Sequence, residues 1–235
     1  MLLTPFVASV ILARSWSWQI PLALAAVLLV FLLREPLVVL ARHRPESAIA
    51  RRCLMWEMPA LALCGLALLR SLPLVPLIVL GAVAAAMTLI AVLAAQANRQ
   101  RSVVLQVVSS AGLGSTALLA ALAATGGIPV WAWWLWGLLS LHGVGAILVV
   151  HARLDAKAAR KASPAAWIFP CAQAAAGALL GWKLAAPMLL SALLTGGELL
   201  RLRRPSGLKE PLRNVGFRTL AVALSHAAMT MVVLW

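Results

Sequence analysis

Three features of this chain predict an all-α, polytopic membrane helix bundle. Of its 235 residues, 63% are hydrophobic and only 11% are charged, with a mean hydropathy of +0.99, a balance far outside that of soluble domains. The apolar residues gather into runs of about 20, the length of a helix that crosses ~30 Å of hydrocarbon. Basic residues occupy the gaps between runs, and densely only in alternate gaps, which is the pattern that orients spans in a bilayer. Eight or nine helices with short loops fit this length, so residues 1–235 are expected to form a single transmembrane domain.

Residues 1–13 are apolar but too short to span, and they lack the charged start and clear cleavage site of a secretory signal. They read as the second half of a helix whose beginning lies upstream of this reading frame, giving nine spans with the first one truncated. After the tight turn Ser15–Trp18, a span is expected from about Trp18 to Leu33, or to Ala41 if Pro36 kinks rather than stops it. The basic segment Arg34–Arg52 follows. Further spans are expected at Leu54–Leu69, Leu74–Ala95, Val103–Ala124 and Trp131–Val150, punctuated by Ser71-Leu72-Pro73 and Gly126-Gly127-Ile128-Pro129. Residues 165–200 as one helix would be ~54 Å long, so the chain must reverse near Gly181–Pro187. That break gives spans at Ala165–Trp182 and Ala185–Leu200, and the last span is Phe217–Trp235.

This threading places Arg34, Arg42, Arg44, Arg51, Arg52, Arg99, Arg101, Arg153 and the basic residues of 157–161 and 201–218 on one side. The other side holds Arg14, Arg70 and Lys183. So lopsided a partition assigns the first side to the cytoplasm. Trp16, Trp18, Trp131, Trp133, Trp134, Trp136, Trp182 and Trp235 fall at the opposite interface, as an aromatic belt does. The N-terminus is then inside and the C-terminus outside. The net charge of +14 is accounted for by helix orientation, so no nucleic-acid partner is expected. Cys53, Cys64 and Cys171 have no C-x-x-C spacing and read as buried small apolar residues rather than a disulfide framework or a zinc site.

Ionisable groups inside spans are few, and each costs at least ~2.5 kcal/mol to insert. Glu57 lies five residues past Arg52, and Glu198 three residues before Arg201; each reads as an interfacial ion pair or as the lining of a cytoplasm-facing cavity. His142 and His226 lie ~16 Å and ~14 Å from the tryptophan ends of their spans, at similar depths. Hydrogen bonding to a neighbouring helix is the plainer reading for them, with haem or metal ligation the sharper one. Gln106 and Gln173 read as interhelical hydrogen-bonding residues, and Gly177…Gly181 as a G-x-x-x-G helix contact. Arg34, Asn98, Arg101 and Arg153 gather at cytoplasmic helix ends, where solvated orientation charge is the plain reading and an anion pocket the sharper one. No Ser-His-Asp order, H-E-x-x-H, P-loop or Rossmann glycine pattern is present, so catalytic residues and cofactor stay unassigned and no metal is expected.

The stretches MLLTPFVAS at the start, RQRSVVLQVVSSAGLGSTALLAALA at Arg99–Ala123, LHGVGAILVVHARL at Leu141–Leu154 and LKEPLRNVGFRTLAVAL at Leu208–Leu224 resemble the YwiC-like family of bacterial membrane proteins. Order and spacing of the four patches carry the match. The resemblance implies a bacterial cytoplasmic membrane protein and brings no established activity. Family members open with a Pro-Arg-Glu-His-Gly-Ala-Trp-like segment ahead of Met-Leu-Leu, which this sequence does not contain. Nine helices with an inside N-terminus also resemble UbiA-type prenyltransferases, whose Asp-rich loops hold magnesium and diphosphate; the corresponding loops here carry only Glu35, Glu46 and Asp155. The expected function is the binding of an amphipathic anionic ligand, an isoprenoid or lipid phosphate, near Arg34, Arg101 and Arg153, with Glu57, Asn98 and Glu198 nearby. Membrane lipids are the expected partners. The alternatives are a degenerate UbiA-like transferase and a small-solute transporter. A tag fused to the carboxyl end should react with an impermeant reagent in intact spheroplasts; a tag reached only after the membrane is breached would overturn the nine-span threading.

Overall fold

The computed structural model describes residues 3–42, 47–99, 102–158, 163–204, 210 and 212–235. Among them the regular structure is helical throughout: α1 (Leu3–Ala13), α2 (Gln19–Ala41), α3 (Ser47–Ser71), α4 (Leu74–Gln96), α5 (Val103–Gly114), α6 (Thr116–Thr125), α7 (Val130–Lys157), α8 (Pro164–Leu179), α9 (Trp182–Leu202) and α10 (Leu212–Leu234). Seven segments are long and apolar enough to cross a membrane, α5 and α6 counting as one and α8 falling short at 16 residues. The protein is a multi-pass integral membrane protein.

Helix persists wherever stopping would strand backbone polar groups in lipid. α2 runs through Pro36 to Ala41, because one lost N–H is cheaper there than a frayed end. α3 starts at Ser47 and takes Arg51 and Arg52 into its first turns, earlier than apolarity alone suggests, since an interfacial helix can carry exposed guanidinium groups on its long side chains. The span at 103–125 is interrupted at Ser115, which keeps a helical backbone. There the Ser115 hydroxyl donates to the Gly112 carbonyl at 2.6 Å and the Thr116 hydroxyl to the Leu113 carbonyl at 2.8 Å, side-chain bonds that compete with the helix ladder. α6 ends on Gly126 in the left-handed region, φ 73°, where a side chain would be strained.

The reversal within 165–200 sits at Gly181, φ 92°, while Pro187 remains inside α9. The two glycines of the G-x-x-x-G therefore do different things. Gly181 makes the turn, and Gly177 lets α8 approach α9: a Cβ there would lie 3.0 Å from Met188 Cβ.

Packing divides the chain into two compact units meeting in sequence at Trp133. In the N-terminal unit α6 is almost wholly enclosed; Ala117, Ala120, Ala121 and Leu122 are fully buried. Small side chains let backbones come close, which matters because lipid tails offer no hydrophobic drive between helices. Hydroxyls then bridge helices directly: Ser9 donates to the Ala117 carbonyl at 2.7 Å, and Ser15 and Ser17 donate to the Ala124 and Ala123 carbonyls. Phe6, Ile20, Ala23, Val27, Leu68 and Leu72 complete this core. Large apolar residues such as Leu63, Val75, Ile78 and Leu93 point outward, the disposition of a lipid-facing surface.

The C-terminal unit comprises α7 from Trp134 onward with α8, α9 and α10. Its tightest approach is at Gly145, whose Cβ would lie 2.8 Å from Thr195 Oγ1 and 3.4 Å from Phe169 Cε1. Overpacking of this kind costs about 1–3 kcal/mol, offset by up to ~1 kcal/mol of helix propensity gained over glycine. Gly145→Ala should therefore lower the thermal midpoint in detergent by the equivalent of ~1 kcal/mol, within ~0–2. In a Thr195→Ala background the same change should cost nothing.

Candidate functional site

Within the C-terminal unit the basic helix ends converge: the C-termini of α7 and α9 and the N-terminus of α10 meet through charged side chains. Arg218, one turn and a half into α10, is the hub. Its Nε and Nη2 donate to the two oxygens of Glu198 at 2.5 and 2.9 Å, and its Nη1 and Nη2 donate to the two oxygens of Glu210 at 2.6 and 3.0 Å. The planar fork of arginine allows this double bidentate grip; a lysine ammonium could not make it. Arg201 adds a longer contact of 3.3 Å to Glu198 from three residues along α9, an exposed pair worth only ~0.2–1 kcal/mol.

Arg153 of α7 lies beside this hub. It is 7% exposed, its Nη2 donates to the backbone carbonyl of Glu210 at 2.9 Å, and its Nε has no hydrogen-bond partner. The nearby Glu210 carboxylate is held below the usual carboxylate range, first by its hydrogen bonds to Arg218 and then by the positive charges of Arg218, Arg153 and Arg201. Arg203, at the end of α9, stacks over Trp167 of α8 at 4.3 Å, a cation–π contact.

A second polar cluster lies in the membrane-embedded part of the same unit. The imidazoles of His142 on α7 and His226 on α10 stack, with ring centroids 4.5 Å apart and 18° between planes. His142 Nδ1 is 3.0 Å from the Ser191 hydroxyl of α9, and His226 Nε2 donates to the Leu138 carbonyl at 3.2 Å. Ser191, Thr230 and His226 are fully buried. Gln173 of α8, also buried, lies midway between Phe169, which borders Gly145 and is shared with Thr195, and Gly177, which abuts Met188. In antiparallel register this puts Gln173 at the level of Ser191.

In the N-terminal unit, Arg42 at the end of α2 donates through Nε to the Ala95 carbonyl at 2.9 Å and through Nη2 to Asn98 Oδ1 at 3.3 Å. Asn98 is exposed with φ 53°. It closes α4 in the left-handed conformation asparagine tolerates, while Arg42 meets the negative end of the helix dipole. Arg34 and Glu57 are half-buried on α2 and α3, and Glu57 Oε2 has no hydrogen-bond partner. Gln106 is half-buried on α5 with a partner of its own. Arg101 lies outside the described residues. At the opposite end of this unit an open groove of ≈ 400 Å³ is lined by Trp18, Leu63, Leu66, Ala67, Arg70 and Ser71. Among the described residues no three of His, Cys, Asp and Glu are grouped to hold a metal ion.

The sequence reading did not single out Arg218, Glu210 or Ser191. Arg218 was one more basic residue near a loop, and only its place inside the α10 rod, facing Glu198, distinguishes it. Nothing in the sequence marks Ser191.

A polytopic helical membrane protein whose C-terminal unit gathers charge at its helix ends is the class these features define. A family model described as YwiC-like protein matches residues 1–121, and the chain belongs to that family. No curated protein and no solved structure matches, so the likeness to UbiA-type prenyltransferases gains no support from the comparisons.

Arg218→Ala leaves Glu198 facing fewer donors and should cost about 1–3 kcal/mol, the scale of charge-assisted hydrogen bonds, whereas Arg201→Ala should cost under ~1 kcal/mol. Because Glu210 has its folded value depressed, its contribution is full above the ordinary carboxylate value and is lost as pH falls through the depressed one. Thermal unfolding in detergent from neutral to acid pH should show this loss in the wild type. Arg218→Ala should flatten it, and equal slopes for both proteins would refute the assignment.

Proposed function

We propose that this YwiC-like protein resides in the bacterial cytoplasmic membrane, N-terminus inside and C-terminus outside, and binds an amphipathic anionic ligand. An isoprenoid or lipid phosphate has the required chemistry. The head group would sit at the guanidinium-rich end of the C-terminal unit, and its apolar tail would lie along the outward-facing leucine and isoleucine side chains.

Arg153 carries the reading. A guanidinium this buried normally pairs with a carboxylate, yet its described hydrogen bond goes to a backbone carbonyl and its Nε has no partner. The two carboxylates within reach of the hub already grip Arg218. A phosphate would supply the missing acceptor in a geometry arginine favours. Glu198 borders this head-group site, while Arg34, Glu57 and Asn98 of the N-terminal unit, and Arg101, remain candidate ligand contacts in their own right. A magnesium-dependent transferase is the weaker reading, since Glu198 and Glu210 have their oxygens committed to Arg218 and hard cations need several free carboxylate oxygens.

Native mass spectrometry and ³¹P NMR of delipidated protein with farnesyl phosphate as probe test the proposal. Wild type should retain the probe, and Arg153→Ala should bind about tenfold more weakly or worse, the equivalent of ~1.4 kcal/mol. Arg153→Lys should lie between them. Equal binding by wild type and Arg153→Ala, or no retention by wild type, would sink it.

A further inference from the structure

The stacked imidazoles of the C-terminal unit leave polar atoms unmet in a place where that is costly. His142 Nε2, His226 Nδ1, Gln173 Oε1 and Ser140 Oγ are all buried and have no hydrogen-bond partner. Each belongs to a side chain at least nine-tenths buried, on α7, α8 or α10.

Hydrogen-bond accounting narrows what could satisfy them. A backbone carbonyl only accepts, so the His226 Nε2 facing Leu138 must carry the proton. The Pro187 carbonyl also lies against this ring; it too only accepts, so in the neutral ring Nδ1 stays a bare acceptor. His142 can adapt, because the Ser191 hydroxyl can either donate to its Nδ1 or accept from it, leaving Nε2 free in either role. Gln173 Oε1 is a second bare acceptor. Full protonation of the rings is not the remedy. The surrounding stretches 137–147 of α7, 164–179 of α8, 185–195 of α9 and 219–231 of α10 contain no Asp, Glu, Lys or Arg, so an imidazolium would have no counter-charge at this level. The exposed thiol of Cys171 is the remaining titratable group in these stretches, and the nearest carboxylate on α9, Glu198, is engaged by Arg218 and Arg201. What the cluster lacks is an uncharged donor.

We propose that His142 and His226 form a binding site, separate from the Arg153 end, for a small uncharged O–H donor. Water is one source of that group and the hydroxyl of a membrane alcohol is the other. The occupant donates to His226 Nδ1 and accepts from His142 Nε2–H, whose Nδ1 then accepts from the Ser191 hydroxyl; water and an alcohol can both do this.

Solid-state ¹⁵N NMR of the full chain, histidine-labelled and reconstituted in phosphatidylethanolamine–phosphatidylglycerol vesicles with and without farnesol, tests this. At neutral pH the His226 resonances, assigned by their disappearance in His226→Gln, should show Nε2–H and an Nδ1 that accepts a hydrogen bond. A cross-peak from that Nδ1 to water protons identifies the water source; its replacement by a cross-peak to farnesol identifies the alcohol. An Nδ1 with the shift of a bare nitrogen in both preparations, or rings protonated at both nitrogens, overturns the proposal. His226→Gln keeps an amide N–H for the Leu138 carbonyl and removes the Nδ1 acceptor, so the His142 Nε2 signal should move. An unchanged His142 signal means the two rings share no occupant, which also overturns it. Should the variant not fold, sequential cross-peaks to ¹³C,¹⁵N-labelled Ser225 and Ala227 assign His226 in the wild type, and those spectra decide.

Discussion

Every peptide group inside hydrocarbon must find its hydrogen bond within the protein, and the architecture of this chain follows from that demand. It explains why Pro36, Pro59, Pro170 and Pro187 are carried inside helices, and why the reversal between α8 and α9 is confined to one glycine in a conformation side chains avoid. It also explains where the hydroxyls go. Ser71, Thr88, Thr125, Thr219 and Thr230 each donate to a carbonyl four residues back, a use of Ser and Thr suited to a medium without water.

The same medium changes what packing does. Apolar contact between helices gains little when the alternative is contact with lipid, so many enclosed positions go to alanine and serine beside a smaller set of leucines, and many other large apolar side chains face outward. Specificity then falls to polar contacts: the Ser9 hydroxyl between α1 and α6, the Arg218 grip joining α9 to α10, and the His142–Ser191 bond joining α7 to α9. These contacts are few, directional and distributed along the length of the rods, so each helix pair has a preferred register.

Much of this was legible in the sequence because it is written in periods longer than a single residue. The apolar runs, the alternating basic gaps and the tryptophan positions place seven spanning segments near their observed bounds. What stayed hidden depends on contacts between distant residues. The start of α3 at Ser47 was hidden because Arg51 and Arg52 look like loop when only apolarity is counted. The interruption at Ser115 coincides with side-chain competition for carbonyls and leaves no mark in hydropathy. Depth alone brought His142 and His226 to one level, but not the stacking of their rings, and Arg153 was recognisable as basic without its burial being apparent.

The brevity of α8 has a consequence for the surrounding bilayer. Sixteen residues span ~24 Å, several ångströms less than a typical hydrocarbon layer of ~30 Å. Outward-facing Ile168 and Leu179 keep the rod in contact with acyl chains, and tilting would only shorten its reach. For α8 to cross the bilayer, the lipids beside it would have to pucker inward or draw head groups toward Ser163 and Gly181. Such a dimple favours short or unsaturated acyl chains as neighbours, which would give this flank of the protein a thickness preference of its own.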